Sequence, residues 1–231
     1  MISPNIFKTN FYKLKEERRH RFSPEIIPHW FKPAAVLILF WDEADTIKIV
    51  LTERSAKVKS HKGEVSFPGG RVEDDETLVQ AALREAEEEI GIDRNLVDII
   101  GRLDDGWSRA AYHLIPFVGW YSGIPEFTAS VDEVGKILTP TIDDLSDEQN
   151  REEKIVERHG RTVQFTTINY QDSVIFGLTA DLLLEALEQG QDIYTQPGLK
   201  REKSLIEALE SEFFAYQKSR GSLSPQSDIV P

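Results

Sequence analysis

Gly70-Arg71-Val72-Glu73-Asp74-Asp75-Glu76, followed after seven residues by Arg84-Glu85-Ala86-Glu87-Glu88-Glu89-Ile90-Gly91-Ile92, decides how this chain is read. Neither Pro nor Gly interrupts the stretch between Glu76 and Gly91, acidic residues crowd its start, and Gly91 stands where a C-terminal cap belongs. A helix over Glu76 to Ile90 is therefore predicted. At about 100° per residue, Glu85 and Glu89 lie one turn apart with Glu88 beside them, so three carboxylates share a face. Val79, Ala82, Leu83, Ala86 and Ile90 form the neighbouring stripe, suited to packing on a sheet. Glu87 points away from the other three and reads as a solvated surface residue.

Like charges at helical spacing repel by a few tenths of a kcal/mol per pair, roughly, so something should compensate. Hard divalent cations favour carboxylate and carbonyl oxygens, and Mg²⁺ combines a few protein carboxylates with phosphate oxygens of a substrate. Arg84 can also pair with Glu88 at i+4, or reach Glu85, and hold the carboxylates in place. A solvated acidic helix face is the bland alternative. The loop glycine and the fixed spacings favour the cation site.

The pattern resembles, position by position, the signature box of the Nudix hydrolases, with the small Ala86 in the box's apolar slot. That resemblance implies an α/β fold, an α/β/α sandwich with a mixed sheet, here with additional N- and C-terminal helices. It implies a diphosphate hydrolase using Mg²⁺ or Mn²⁺, held by Glu85, Glu88, Glu89 and the Gly70 carbonyl. Glu85, Glu88 and Arg84 would form the catalytic set. The general base would be a box glutamate or a carboxylate from outside it, for which the candidate is Glu133 in Asp132-Glu133-Val134. Glu76 would secure the loop and the helix start.

Similarity extends beyond the box. Leu51-Thr52-Glu53-Arg54-Ser55 and Gly63-Glu64-Val65-Ser66-Phe67-Pro68-Gly69-Gly70 resemble the additional signature of the coenzyme A pyrophosphatase branch. Pro116-Phe117-Val118-Gly119 and Phe176-Gly177-Leu178-Thr179-Ala180 also resemble that branch. This implies cleavage of coenzyme A or its thioesters to 3′,5′-ADP and a 4′-phosphopantetheine compound. Arg54, Ser55, Lys59, Phe67 and Gly69 become the substrate-binding candidates. Lys59 stands where the signature usually carries an arginine, a point charge in place of a planar fork. The basic cluster Arg54, Lys57, Lys59, His61 and Lys62 could meet the 3′-phosphate, or could be a solvated loop balancing the acidic helix. ADP-ribose, NADH or another nucleoside diphosphate derivative is the alternative substrate. A non-catalytic nucleotide-binding regulatory module is the alternative of another class, although this box has lost no metal ligand.

Composition frames the site. The chain has 231 residues, 29% charged and 40% hydrophobic, with a formal net charge of −13 and no cysteine. An acidic surface repels nucleic-acid backbones and anionic membranes, so the expected partner is a small diphosphate, coenzyme A-like, with a homodimer as the family's suggestion. Absence of cysteine removes disulfides, thiolate catalysis and Cys-based zinc. The longest apolar run, Ala34 to Trp41, is too short for a membrane span, and cytoplasm is the expected compartment.

Along the chain, residues 1–32 are expected to be an extension with a helix packed on the core, 33–190 the hydrolase domain, 191–220 a helical extension and 221–231 a disordered tail. Strands are expected at Ala34 to Trp41, Ile47 to Thr52, Glu64 to Phe67, Leu96 to Leu103, Tyr112 to Tyr121 and Glu133 to Leu138. Pro140 to Leu145 reads as a helical turn and Glu153 to Ile168 as a hairpin. Thr179 to Gln189 reads as a helix with Thr179 as N-cap, and Leu199 to Lys218 as the last helix.

Overall fold

A computed structural model describes residues 2–13, 19–57, 63–158, 161–192 and 197–209. The longest strand, β1 (Lys32–Glu43), is buried over eight consecutive residues. Such a run means a strand covered on both faces, as in the middle of a layered α/β protein. Its side chains divide by period two. Ala35, Leu37, Leu39 and Trp41 belong to one core, and Val36, Ile38 and Phe40 to the other.

A mixed six-stranded sheet is built around β1. It pairs in parallel with β8 (Tyr112–Tyr121) and antiparallel with β2 (Thr46–Ile49) and β5 (Gly69–Arg71), which share one edge of it. β6 (Val97–Arg102) and β7 (Gly106–Ser108) share the outer edge of β8. Ala44 and Asp45, both in the left-handed region, close the tight turn between β1 and β2.

The remaining strands make two small antiparallel sheets. β3 (Leu51–Arg54) lies between β4 (Val65–Ser66) and β9 (Val134–Leu138), and β11 (Arg161–Tyr170) lies between β10 (Arg151–Arg158) and β12 (Ser173–Ile175). The single strand expected over Ile47 to Thr52 is thus two strands in two sheets. Ile47, Ile49 and Leu51 stay on one side and Val50 on the other, so the apolar alternation runs straight through the change of partner.

Helix α2 (Leu78–Ile90) covers one face of the main sheet through Ala81, Ala82, Ala86 and Ile90. It begins two residues later than the acidic run suggested, because Thr77 is the N-cap. The Thr77 hydroxyl accepts from Gln80 N–H, while the Gln80 side chain accepts from Thr77 N–H. Gly91 closes the far end at φ 72°, as read from the sequence. The opposite face carries α1 (Pro4–Lys13) and α4 (Gly177–Gly190), with Phe7, Phe11, Leu182, Leu183 and Leu187 in its core. Helix α4 starts ahead of Thr179, with Phe176 at the N-cap position and no side-chain cap. α3 (Ile142–Ser146) is the expected short turn, and α5 (Pro197–Ala208) covers the first part of the expected last helix. The rest of that helix and the tail lie outside the described residues.

Candidate active site

The edge strand β5 runs beside β1 and delivers Gly69 and Gly70 next to the carboxylates of α2. Both positions need glycine. A Cβ on Gly69, at φ 153°, would lie 2.4 Å from the Ala35 carbonyl oxygen, and one on Gly70 would lie 2.4 Å from the Glu85 carboxyl carbon. The Glu85 carboxylate therefore rests directly on the Gly70 Cα. On the same strand, Gly69 N–H donates to Glu89 Oε2 at 3.2 Å.

Arg84 organises the cluster with all five of its donors. Its Nε donates to Glu76 Oε2 at 3.1 Å and Nη2 to Glu76 Oε1 at 2.9 Å, a bidentate pair. Nη2 also donates to the Arg71 carbonyl at 3.1 Å, which ties the helix to the end of β5. Nη1 donates to both Glu85 Oε1 and Glu88 Oε2, each at 3.1 Å. Glu76 accepts additionally from Glu73 N–H at 2.8 Å, and Arg84 holds its carboxyl below the usual range. Glu76 thus clamps the loop to the helix start, as the sequence suggested, and Arg84 orients carboxylates instead of facing solvent.

The acidic residues differ in environment. Glu89 is only 5% exposed, and burial pushes its carboxyl up to about 8, opposed by the Gly69 N–H and assisted by the charges of Glu85 and Glu133. Burial also raises Glu85, against the pull of Arg84 and with repulsion from Glu88 and Glu133. Glu88 is 59% exposed at its side chain and stands at the rim. Glu133, exposed ahead of β9, comes close enough to repel both Glu85 and Glu89. The segment before it is laced to the end of α2 by Thr128 N–H on the Ile90 carbonyl and Ser130 N–H on the Glu89 carbonyl.

This donor set fits a hard divalent cation: carboxylate and carbonyl oxygens, with two of the acids raised by burial and mutual repulsion. Among the described residues, no three Asp, Glu or His groups close on one point as a finished chelate. Mg²⁺ uses one or two protein carboxylates and completes its shell with water and phosphate oxygens, so an open set suits it. Glu85, Glu88, Glu89 and the Gly70 carbonyl are the groups able to hold such an ion.

On the other side of the glycine pair lies a cleft of about 490 Å³. Its floor is apolar, with Val36, Phe67, Leu114, Leu178 and Leu182, and its rim carries Arg54, Arg71 and Arg109. Of the sequence-derived binding candidates, Arg54, Phe67 and Gly69 line this cleft. Ser55 does not: it is buried, its hydroxyl accepts from Lys57 N–H at 3.2 Å, and its own N–H donates to the Glu133 carbonyl at 2.8 Å. Lys59, His61 and Lys62 lie outside the described residues, and Lys57 sits 3.9 Å from Asp132. Sequence reasoning missed Arg71, Arg109, Tyr112 and Leu114 as cleft residues, because strand pairing brings them there: β1 with β5 for Arg71, β1 with β8 for Tyr112 and Leu114, and β7 with β8 for the turn that carries Arg109. Thr179 lines the cleft from within α4.

Comparison with known proteins agrees with the geometry. The NUDIX domain family matches residues 31–158. Over 169 residues the chain is 36% identical to Nudix hydrolase 15, mitochondrial, of Arabidopsis thaliana, covering 69% of this chain and 59% of that protein. Over 142 residues it is 30% identical to the uncharacterized Nudix hydrolase NudL of Yersinia pestis (strain Pestoides F), covering 61% and 71%. The chain spans roughly three-fifths of the length of the plant relatives it matches. Among solved structures, the MutT/nudix family protein from Enterococcus faecalis superposes with a TM-score of 0.50 at 15% identity, over 94% of this chain and 87% of that one. The signature helix on its glycine strand, the mixed sheet beneath it and the match over residues 31–158 place this chain in the Nudix hydrolase family.

Proposed function

We propose that the chain is a divalent-metal-dependent diphosphate hydrolase whose favoured substrates are coenzyme A and its thioesters. The supporting observation is a convergence. Arg54 from the first branch-like segment, Glu64 to Phe67 and Gly69-Gly70 from the second, and Leu178-Thr179 from the last all line one cleft. That cleft abuts the carboxylate cluster through a partition only a glycine backbone thick.

Bound at Glu85, Glu88 and Glu89, divalent ions would neutralise the anionic diphosphate and lower the pKa of a coordinated water. The protein's own part is positioning. Arg84 holds Glu85 and Glu88 at fixed separation, and the Gly69 N–H fixes Glu89. In-line attack on phosphorus depends on such placement more than on covalent chemistry. Glu133 is exposed beside the buried acids and serves as proton acceptor for the attacking water. Arg54 lies near enough to Glu89 to lower its pKa, and its Nε–H is buried without an acceptor among the described residues, which suits it to a substrate phosphate.

Product analysis with Mg²⁺ or Mn²⁺ tests the proposal, using coenzyme A, an acyl-coenzyme A, ADP-ribose and NADH at equal concentration. Release of 3′,5′-ADP at the highest kcat/KM is expected. Faster release of AMP from ADP-ribose or NADH would reject the substrate, and no metal-dependent turnover of any of the four would reject the activity.

A further inference from the structure

Arg109 is a rim cation whose charge nothing in the site uses. It is exposed, lines the cleft, and makes no hydrogen bond or ion pair among the described residues. In a chain of net charge −13, carboxylates to pair with are abundant. Arg71, on the opposite wall, meets only a neutral partner among the described residues: its Nε donates to the Tyr112 hydroxyl at 2.8 Å, and its guanidinium carbon stands 5.8 Å from the Tyr112 ring centroid. Its charge is likewise uncompensated.

The backbone that carries Arg109 is fixed in advance. Ala111 N–H donates to the Ser108 carbonyl at 3.0 Å across a tight turn, Ala111 takes φ 61°, and Lys32 N–H donates to the Ala111 carbonyl at 2.9 Å. Behind the turn, Trp107 Nε1 donates to the Arg201 carbonyl at 3.1 Å. Arg201 itself donates from Nε to the Asp105 carbonyl at 2.8 Å and from Nη2 to the Asp104 carbonyl at 3.0 Å. Asp104 and Asp105 are fully buried, and their carboxylates accept from His20 N–H and Phe22 N–H. Residues from both outer parts of the chain therefore hold this wall of the cleft, leaving only the arginine side chain to move.

Position argues against a role at the scissile diphosphate. Arg71 pairs with Ala34, Ala34 with Leu114, and Leu114 with Gly106. Arg109 follows the last residue of β7, in the turn to β8, and so stands two to three strand spacings from the glycine strand, roughly 10 to 14 Å across the sheet. An apolar floor of Val36, Leu114 and Leu178 lies between, suited to a flat, weakly polar group such as a nucleobase.

We propose that Arg109 binds a phosphate ester of the substrate remote from the scissile diphosphate, across the cleft from Arg71 on the glycine strand. This rests on the diphosphate hydrolase reading and assigns the specificity to the β7–β8 turn instead of the basic stretch Lys57 to Lys62. A guanidinium suits the task because its planar donors match phosphate oxygens two at a time.

The test is calorimetric titration of the full chain with 3′,5′-ADP and with 5′-AMP, which differ only in the second phosphate. Wild type should prefer 3′,5′-ADP by about ten-fold or more, the scale of one charge-assisted contact. Arg109→Ala should cut that preference to about two-fold while leaving 5′-AMP affinity and Tm unchanged, and Arg109→Lys should keep part of it. Equal affinities in wild type, or an undiminished preference in Arg109→Ala, would overturn the assignment. So would loss of the preference in Lys59→Ala alone. If neither nucleotide binds tightly enough to titrate, kcat/KM for coenzyme A against dephospho-coenzyme A reads the same difference. Failure of turnover on every diphosphate would count against the proposed function and leave the binding preference as a separate result.

Discussion

Replacing Gly70 by alanine adds one methyl group at the point where strand and acidic helix touch. The new Cβ would sit 2.4 Å from both Cδ and Oε1 of Glu85 and 2.7 Å from Oε2. Non-bonded heavy atoms settle at about 3.5 to 4.0 Å, so the carboxylate must retreat by roughly 1 Å or more. Backbone strain does not enter, because Gly70 does not adopt a positive φ. Retreat would break the 3.1 Å bond from Arg84 to Glu85 and disturb the pairing of Arg84 with Glu88. Overpacking of this kind costs about 1 to 3 kcal/mol, while a displacement of about 1 Å in a positioned group can cost roughly a hundred-fold in rate. Urea unfolding, Mn²⁺ titration and steady-state hydrolysis would therefore show a modest stability loss, weaker metal binding and a kcat lower by about two orders of magnitude. Gly63→Ala is the control. Gly63 is at φ 71° with no atom within 4 Å of its added Cβ, so it should lose stability through strain and keep the wild-type metal affinity. Full activity and unchanged Mn²⁺ affinity in Gly70→Ala would refute the idea that the Glu85 carboxylate is poised against the glycine strand.

Glu88→Gln removes a charge at the exposed rim with nearly constant shape, so turnover should fall by about a hundred-fold or more while Tm moves little, and retained activity would remove Glu88 from the metal site. Glu185 gives a pH prediction away from that site. It is 3% exposed and faces Arg201 Nη2 at 2.6 Å, Arg19 Nη1 at 3.6 Å and Asp104 N–H at 2.8 Å, yet burial raises its carboxyl from 4.5 to about 7. A pKa raised in the folded state means that folding takes up a proton between these values. The contribution is full below pH 4.5 and is lost as pH rises through about 7. Subtracting the stability curve of Glu185→Gln from that of wild type, by urea unfolding at each pH, should isolate a decline confined to that window, and a flat difference would show that Arg201 keeps the group ionised.

Much of this architecture was legible because local chemistry and fold agree. The cap at Gly91, the carboxylate face of α2 and the apolar stripe through Ala82, Ala86 and Ile90 all follow from period and capping rules. Thr77 was legible too, since Thr-x-x-Gln is a capping box, but the acidic run upstream drew the helix start to Glu76. The opposite error occurred at α4, where a polar cap was expected at Thr179 and the chain instead enters the helix from Phe176 without one. The β2–β3 break at Val50 left no trace, because both strands bury alternate residues in the same two cores. The burial of Glu89 was invisible for a different reason. Glutamate is rarely buried, and what permits it here is the N–H of Gly69, twenty residues away in sequence. Arg109 belongs to no motif and reaches the cleft only through strand pairing.

Arg84 divides the labour among the cations. With five donors committed to Glu76, Glu85, Glu88 and the Arg71 carbonyl, it cannot grip a phosphate without releasing a carboxylate it is holding. Any substrate contact by Arg84 would therefore disorganise the acids that give the site its charge. In the proposed reaction, positive charge for the substrate would come from metal held on the helix side of the glycine partition and from Arg54, Arg71 and Arg109, which line the cleft. Arg71 and Arg109 make no ion pair with these carboxylates among the described residues, while Arg54 lies close enough to Glu89 to lower its pKa. An acidic protein can then hold an anionic substrate. On the proposed function, metal and glycine strand would secure the part common to all diphosphates, while the rim arginines would discriminate among the groups attached to it.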